Sequence, residues 1–368
     1  MNETVITKNP VRDSHGRREQ DSAIKANTIK LGIDVHADSY SVVRQMDGAT
    51  PQPAQKMTPA DFLEWAAKQT RLAHKVYSCY EAGPFGYGLH RKLTELGIEN
   101  VVVRPQNWDE LGKGVKTDKT DGLALVQRLD RYVAGNKKAF AVVNVPTVEQ
   151  EQARAVSRHR EQLREHRQRL EAQGRSLLLN HGIRAHGRWW LDRNWEMYLK
   201  QTPEALAPIL TVTRDLILAV HEQVIRATRK LEAEASPQPK SFGALTSEVL
   251  RREIKDWNNF RNRRQVASIT GMCPGVRSSG PRTVGGSITK HGNPRLRRAL
   301  VELSWRVARF QPEYTSARRW RKVLRNPMAT RAAKKKAIVA LGRRLAIDLW
   351  RIHTGRTTPE ALKLIMAK

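Results

Sequence analysis

The first third of the chain alternates between segments of strand type and segments of helix type. Alternating apolar positions predict a hairpin of two strands at residues 29–35 and 40–43. Further strands are predicted at 75–80 and 100–104, and helices at 59–68, 85–96 and 120–132. Strands that alternate with helices indicate an α/β domain, here over residues 28–145. The polar, mixed-charge residues 1–27 before it predict a disordered leader.

From residue 146 to 235 the apolar period becomes that of long helices. The two repeating series are Val156, Leu163, Leu170 and Leu177, followed by Ile217, Val220, Val224, Ala227 and Leu231. Spacings of seven, and of three and four, predict an antiparallel, coiled-coil-like helical hairpin. Between them, residues 184–198 carry Trp189, Trp190 and Trp195 among arginines. This segment is compatible with a packed hairpin tip or with a contact to nucleic acid or another subunit.

Residues 240–368 predict a mainly α-helical domain of short basic helices, with one Gly/Ser-rich loop at 275–292. Asn293 and Pro294 form a good helix start, as N-cap and first-turn proline. The helix that follows places an apolar series on one face, namely Leu296, Leu300, Leu303 and Val307. Arginines occupy much of its remaining surface.

Charge changes the picture of this last domain. The chain has 66 Lys and Arg against 36 Asp and Glu, a net charge of +30. Residues 251–368 alone hold 29 basic and 6 acidic side chains, a net of +23. One strongly cationic region predicts a polyanion partner, and we expect nucleic acid rather than an anionic membrane surface. The side chains expected to contact it are Arg263, Arg264, Arg277, Arg282, Lys290, Arg295, Arg297 and Arg298.

Several classes of protein are disfavoured by composition. No apolar run approaches the roughly 18 residues that a membrane span needs, and the N-terminus lacks an apolar signal region. With only Cys79 and Cys273, a disulfide scaffold is not expected. These cysteines with His181 and His186 lack zinc-site spacing. We expect a cytoplasmic, nucleoid-associated prokaryotic protein with no membrane partner.

Four carboxylates stand at the ends of predicted elements. Asp34 and Glu81 end two strands, whereas Asp118 and Asp121 lie three apart at a helix start, a spacing that puts both on one face. If they converge, their mutual repulsion favours a bound cation, and hard oxygen ligands favour Mg²⁺ or Mn²⁺. The alternative is structural, because an Asp after a buried strand is common and an Asp at a helix start caps it.

A serine precedes glycine within the cationic loop, in Ser278-Ser279-Gly280. A serine hydroxyl in such a loop can approach a backbone phosphate, and Arg277, Arg282 and Lys290 would stabilise charge developing on phosphorus. The hydroxyl needs a base or metal to activate it. No neighbouring group plainly does so, and the pattern alone therefore favours an ordinary turn over a nucleophile.

These segments resemble a known family. Gly-Ile-Asp-Val-His at 32–36, Tyr-Glu-Ala-Gly-Pro-Phe-Gly-Tyr at 80–87 and Lys-Thr-Asp-Lys-Thr-Asp at 116–121 look like signatures of the transposases of insertion-sequence family 110, subgroup 1111. The resemblance implies a RuvC-like, ribonuclease H-like fold for the α/β domain, with an Asp-Glu-Asp-Asp metal cluster. That cluster carries over as Asp34, Glu81, Asp118 and Asp121. The stretch around the serine resembles the family's second domain, whose catalytic serine is Ser279 here, with Ser278 as the adjacent alternative.

The resemblance also implies a reaction and its partners. DNA strands at the element ends and the target would be cut and rejoined through a serine-linked intermediate, with Mg²⁺ (or Mn²⁺) at the carboxylates. Structured noncoding RNA would guide the enzyme, which would act as a homo-oligomer, a dimer or tetramer in which one subunit's serine completes another's carboxylate site.

Two alternatives remain at this point. In a metal-dependent nuclease of Holliday-junction type, Ser279 would be structural and only the carboxylates catalytic. In a non-catalytic nucleic-acid-binding protein, neither set would matter for anything but stability.

Overall fold

The chain divides into an N-terminal unit, Met1–Val145, and a C-terminal unit, Pro146–Lys368. The computed structural model describes residues 25–105, 118–236, 239–279 and 282–366, without the side chains of 118–120, 277–279 and 282–284. Most of the predicted leader and the side chains of Asp118, Arg277, Ser278, Ser279 and Arg282 therefore lie outside the described residues. The first strand begins at Ala26, two residues before the predicted domain start.

A mixed β-sheet forms the centre of the N-terminal unit. Its strands are β1 (Ala26–Val35), β2 (Tyr40–Met46), β3 (Gln55–Met57), β4 (Ala73–Glu81) and β5 (Glu99–Val103). Within the described residues they lie in the order β3-β2-β1-β4-β5, with β2 antiparallel to β1 and β3, and β4 parallel to β1 and β5. The predicted strands are confirmed. β3 was not predicted because it is a three-residue edge strand with two exposed polar residues.

Helices α1 (Pro59–Leu72), α2 (Gly88–Glu95) and α3 (Asp118–Val133) cover this sheet. Thr58 caps α1 through its hydroxyl, which accepts a hydrogen bond from the Asp61 N–H at 3.2 Å. Phe62 of α1 and Leu31 of β1 are both fully buried in one apolar core. The predicted α/β architecture of this unit is confirmed, although α2 is shorter than predicted.

The C-terminal unit is mainly helical. Its helices are α4 (Val148–Asn180), α5 (Asp192–Gln201), α6 (Ala207–Ala233), α7 (Ala244–Ile254), α8 (Arg263–Thr270), α9 (Pro294–Phe310), α10 (Thr315–Arg318), α11 (Arg321–Arg325) and α12 (Arg331–His353). Strands β6 (Pro274–Ser279) and β7 (Arg282–Ile288) lie between α8 and α9. The expectation of mostly short helices after residue 240 holds for α7, α8, α10 and α11, whereas α9 and α12 are 17 and 23 residues long.

Helices α4 and α6 pack against each other along their length, as the predicted antiparallel hairpin requires. Arg160 contacts Thr228 at 3.0 Å and Arg167 contacts His221 at 2.9 Å, so residue numbers rise along one helix as they fall along the other. The buried positions of α4, including Ser157, Glu171 and Leu178, fall one residue after the predicted seam. Polar residues that form hydrogen bonds within the helical hairpin therefore line much of the interface. The spacing of apolar residues in the sequence does not reveal them.

The segment between these helices, here called the tryptophan tip (residues 184–198), is densely packed. Trp189 and Trp190 are fully buried. Their indole N–H groups donate to the carbonyl oxygen and to Oε1 of Glu171, at 3.1 and 2.9 Å. A Cβ on Gly174 would lie 2.2 Å from the Trp189 ring, so only glycine permits this packing. Of the two interpretations left open for this segment, the structure shows the packed tip.

The apolar face predicted for α9 is confirmed. Leu300, Leu303 and Val307 are fully buried against α7, α8 and α12. The predicted loop at 275–292 was wrong over most of its length, because β6 and β7 form an antiparallel hairpin there. Its glycine, serine and threonine residues hide the two-residue period that marks a strand. Among the described residues, no helix is long and apolar enough to cross a membrane.

Candidate functional site

Asp34 and Glu81 stand at the same edge of the N-terminal sheet. β1 and β4 run parallel and pair up to Ile33 and Tyr80, so each carboxylate follows directly after the last paired residue. The carboxyl ends of adjacent parallel strands meet at one edge, which in open α/β sheets is where ligands bind. The structure therefore places two of the four predicted residues at neighbouring backbone positions of this edge.

Helix α3 begins against the same edge. A Cβ built on Gly32, two residues before Asp34, would lie 2.4 Å from the Gly122 carbonyl oxygen and 2.6 Å from the Val126 nitrogen. This backbone contact is closer than any residue with a Cβ allows, and it fixes the first turn of α3 over β1. Asp121 immediately precedes Gly122, so the same contact positions its backbone close to the end of β1. Asp118 is the first residue of that helix.

The sheet edge that carries Asp34 and Glu81, here called the carboxylate edge, has further polar contacts. The Asp34 Oδ2 lies 3.1 Å from the Nε2 atom of His36, which is half exposed. Burial raises the pKa of the Cys79 thiol, and the charge of Glu81 raises it further, so this cysteine remains a neutral thiol behind the edge. Among the described side chains, which do not include Asp118, no three His, Cys, Asp or Glu residues form a group that could hold a metal ion. Asp34, Glu81 and Asp121 are among these side chains, so the three described carboxylates of the predicted cluster do not form such a group by themselves.

Ser279 lies at the far end of the β6–β7 hairpin. Its backbone pairs with Arg282 in the last step of the ladder, and Ser278 pairs with Thr283 one step earlier. Val276 in the same strand is 62% exposed, which shows that the hairpin projects from the apolar core.

The base of the hairpin is fixed to the helical core. The N–H groups of Thr289 and Lys290 donate to the carbonyl oxygens of Cys273 and Gly271, at 2.8 and 3.0 Å. Asn293 caps α9 through Oδ1 and donates from Nδ2 to Glu253 at 2.6 Å. A projecting strand pair thus stands on a rigid base.

Not all predicted nucleic-acid contacts are equally available. Arg295 donates to Glu161 of α4 at 2.7 Å, and Arg298 also pairs with Glu161. Arg297 donates to the carbonyl oxygens of Thr270 and Lys290, at 3.2 and 3.3 Å, and so braces the hairpin base. The structure thus gives these three arginines internal partners, whereas Arg263 and Arg264 are exposed.

Arg263 and Arg264 line a groove of about 1170 Å³ beside the hairpin. Its other walls are the hairpin base, the start of α10 and one face of α12. Cations from these elements, which the sequence did not single out, join them: Arg319, Lys335, Lys336, Arg343 and Arg344. We call these seven residues and the space between them the cationic groove. The sequence feature that could have predicted the groove residues of α12 is the pair of basic runs, Lys-Lys-Lys at 334–336 and Arg-Arg at 343–344.

Behind the groove, Asp348 of α12 is fully buried. Its Oδ2 accepts hydrogen bonds from the Tyr314 and Ser316 hydroxyls, both at 2.7 Å. Arg344 lies 3.3 Å from its Oδ1. Burial and the Asp348 charge raise the pKa of Tyr314, which stays a neutral donor. This cluster holds one groove wall to the other.

Comparison with known proteins agrees with these features. Residues 238–319, which include the hairpin and both serines, match the family "Transposase IS116/IS110/IS902". Two Sinorhizobium fredii proteins, named "Putative transposase y4rJ" and "Putative transposase y4qE", are each 32% identical to the chain. Their alignments cover 74% of this chain and 75% of y4rJ, and 78% of this chain and of y4qE.

The "Transposase for insertion sequence element IS1111A" of Coxiella burnetii is 24% identical over 89% of this chain and 90% of its own length. Both units of the chain are therefore represented in its relatives. The protein belongs to the IS116/IS110/IS902 family of transposases.

Proposed function

We propose that the protein cuts and rejoins DNA at the ends of an insertion sequence and at its target, with Ser279 as nucleophile and Asp34, Glu81, Asp118 and Asp121 as metal ligands. The observation that carries this proposal is the placement of Asp34 and Glu81 at adjacent strand ends, with the start of α3 fixed beside them by Gly32. In a family of transposases this edge is the natural place for phosphodiester chemistry.

The fold of the N-terminal unit supports the assignment. We propose that it is RuvC-like, of the ribonuclease H type, as the motifs at 32–36, 80–87 and 116–121 imply. The mixed sheet, in which β1 is flanked by antiparallel β2 and parallel β4, supports this. It brings motifs more than 40 residues apart in the sequence to one edge.

The donor set suits a hard divalent cation, because carboxylate oxygens are the ligands that Mg²⁺ and Mn²⁺ prefer. When bound, such an ion would favour the deprotonated serine and stabilise charge on the leaving oxygen. Asp34 and Glu81 would hold it from the strand ends, and Asp118 and Asp121 from α3. The buried thiol of Cys79, kept neutral, takes no part.

The serine step conserves the phosphodiester bond energy. The Ser279 Oγ attacks phosphorus and loses its proton, while the bond from phosphorus to the 3′ oxygen breaks and that oxygen gains a proton. The products are a 5′ phosphoserine linkage and a free 3′ hydroxyl. Attack of another 3′ hydroxyl on this linkage reverses the step, which rejoins DNA without an external energy source.

The cationic groove supports contact with a nucleic-acid backbone at the hairpin. Clustered lysines and arginines neutralise phosphates and release counterions, which gives affinity without sequence preference. Recognition of sequence must then come from elsewhere, and we propose that it comes from a structured noncoding RNA. We further propose that the enzyme acts as a dimer or tetramer. Both of these proposals rest on the family resemblance.

A covalent-trapping assay tests the reaction. Purified protein is mixed with element-end DNA, flanking RNA and Mg²⁺, denatured, and examined for a protein–DNA adduct. We expect an adduct that is lost in Ser279→Ala and Asp34→Asn but kept in Ser278→Ala, the matched control one residue earlier in β6. Cleavage without an adduct, intact in Ser279→Ala yet lost in Asp34→Asn, would show a metal-only nuclease instead.

The close contact of Gly32 with Gly122 provides a test of the carboxylate edge. In Gly32→Ala the added methyl group must push α3 away from β1, which we expect to destabilise the unit by about 1–3 kcal/mol. Strand cleavage should fall further than the folded fraction does, because Asp118 and Asp121 move with α3. Gly48→Ala, where a Cβ meets nothing within 4 Å, is the control. Full cleavage by folded Gly32→Ala would contradict the predicted metal site.

A further inference from the structure

Trp305 differs from the other described tryptophans of the protein. It is 47% exposed, whereas the others are buried or partly buried. Within the described part of the chain, no aromatic ring or cation stacks on it. A single exposed ring is common on a protein surface, and Phe310 of the same helix is also exposed, so Trp305 points to a ligand only through its surroundings.

The surroundings of Trp305 are both apolar and cationic. A cleft of about 660 Å³ between α9 and the start of α12 is lined by Val301, Trp305, Ala329, Arg331, Lys334, Lys335, Ile338 and Val339. We call it the tryptophan cleft. Within the described residues, Arg331, Lys334 and Lys335 form no ion pair. An exposed ring flanked by uncompensated cations matches a base and its phosphates.

The tryptophan cleft adjoins the cationic groove. Lys335 and Val339 of α12 line both, so the two share a wall. The groove in turn borders the hairpin that carries Ser279 at its far end. This adjacency favours the DNA strand handled at the hairpin as the occupant.

We propose that the tryptophan cleft binds an unpaired DNA strand, with one base stacked on Trp305 and the adjacent phosphates held by Lys334 and Lys335. Only an unpaired base offers its face to a side chain, and stacking of this kind tolerates any base. The role of this strand as one being exchanged rests on the proposed function, but its binding does not.

Binding is measured by fluorescence anisotropy of a labelled single-stranded 20-mer DNA, in a Ser279→Ala background and with EDTA, so that neither the serine nor a metal-dependent nuclease activity cuts the probe. We expect Trp305→Ala to weaken binding roughly 5- to 150-fold, the effect of losing one stacked base. Trp305→Phe should retain most of the affinity. Phe310→Ala is the matched control, because Phe310 is a 55% exposed ring on the same helix that does not line the cleft.

Abasic substitutions along the DNA identify the contact. At one position, removing the base should weaken binding by the wild-type protein but not weaken binding by Trp305→Ala any further. A blunt duplex of the same sequence should bind without dependence on Trp305. Equal affinity of Trp305→Ala and Phe310→Ala, with both folded by circular dichroism, would overturn the proposal. Dependence on Trp305 only with an RNA 20-mer would overturn the assignment to DNA.

The outcome is separable from that of the proposed function. A Ser279 adduct with no Trp305 effect would refute this inference alone. If single-stranded DNA binding depends on Trp305 but no adduct forms, the serine mechanism is refuted and the proposed role of the tryptophan cleft stands.

Discussion

The tryptophan tip and the cationic groove have similar compositions and opposite structures. Both are rich in arginine, and a tryptophan lies in each, since Trp320 lines the groove. Where α4 and α6 pack against the tip, Arg167 pairs with Glu171 at 3.1 Å, and the Arg214 guanidinium lies 4.8 Å from the Trp195 ring centre. Along the groove, Arg263 and Lys336 have no acidic partner within the described residues. Composition therefore does not distinguish a packed structural segment from a binding surface.

The difference depends on where the compensating charges are. Glu171 is buried in α4 and accepts from Trp190 while it faces Arg167 and Arg175, so these two arginines have a carboxylate partner inside the protein. No comparable carboxylate in the described part of the chain faces the open side of α12. Asp348 points inward instead, where it binds Tyr314 and Ser316. Cations without internal partners remain available for phosphates.

Truncation of the tip should give the largest effect on stability. Trp189→Ala removes a fully buried ring that packs on Gly174, and we expect a loss of about 3–5 kcal/mol in the free energy of unfolding. Urea denaturation measures it. DNA affinity of the folded fraction should not change, because the ring is inaccessible. If Trp189→Ala lowered the DNA affinity and left the free energy of unfolding unchanged, the tip would be a binding surface rather than a structural segment.

Loss of the buried Glu171 carboxylate, which packs against the tip, should have the next largest effect on stability. Glu171→Gln leaves Arg167 without its charged partner, and we expect a loss of about 1–3 kcal/mol in the free energy of unfolding. The exposed pair Arg226–Glu222 provides the control, since Glu222→Gln should change the free energy by less than about 0.5 kcal/mol. Equal effects in both variants would contradict the internal role of Glu171.

Groove cations should show the opposite behaviour. In Lys336→Gln/Arg343→Gln, we expect duplex DNA to bind more weakly at all sequences, and the salt slope of log K should fall by about 0.9 for each phosphate that the variant no longer neutralises. Stability should change by less than about 0.5 kcal/mol. Arg295→Gln is the matched control, because Arg295 already pairs with Glu161. A larger change in slope for Arg295→Gln would contradict the assignment of the groove.

The smallest effect is a pH dependence behind the hairpin. Burial opposes ionisation of Glu253, but hydrogen bonds from Arg158 and Asn293 outweigh it and lower its pKa. A lowered folded-state pKa stabilises the protein above the unfolded pKa, and this stabilisation disappears as pH falls through the folded value. The difference in unfolding free energy between wild type and Glu253→Gln should therefore shrink between about pH 7 and about pH 3. A constant difference would show that the charge of Glu253 is not the cause.

Much of the molecule followed from the sequence itself. Alternation at residues 29–35 predicted β1, and the Asn293-Pro294 start and the apolar face of α9 were both correct, because local period and capping determine them. The excess of cations in residues 251–368 also follows from composition. The four carboxylates and Ser279 came from motifs, and they remain predictions.

Other features depended on contacts between distant residues, which no local pattern encodes. The register of β1 with β4 put Asp34 beside Glu81, and the Gly32–Gly122 contact placed α3. The α4 interface shifted by one residue because Glu171 and its arginines bury polar groups that find partners only in the folded chain. The tertiary structure thus decided which arginines are internal and which, with Trp305, stay open to a ligand. The physical reason is that the local sequence pattern does not specify whether a charged or aromatic side chain is buried with a partner or exposed. Its neighbours in the folded structure determine that.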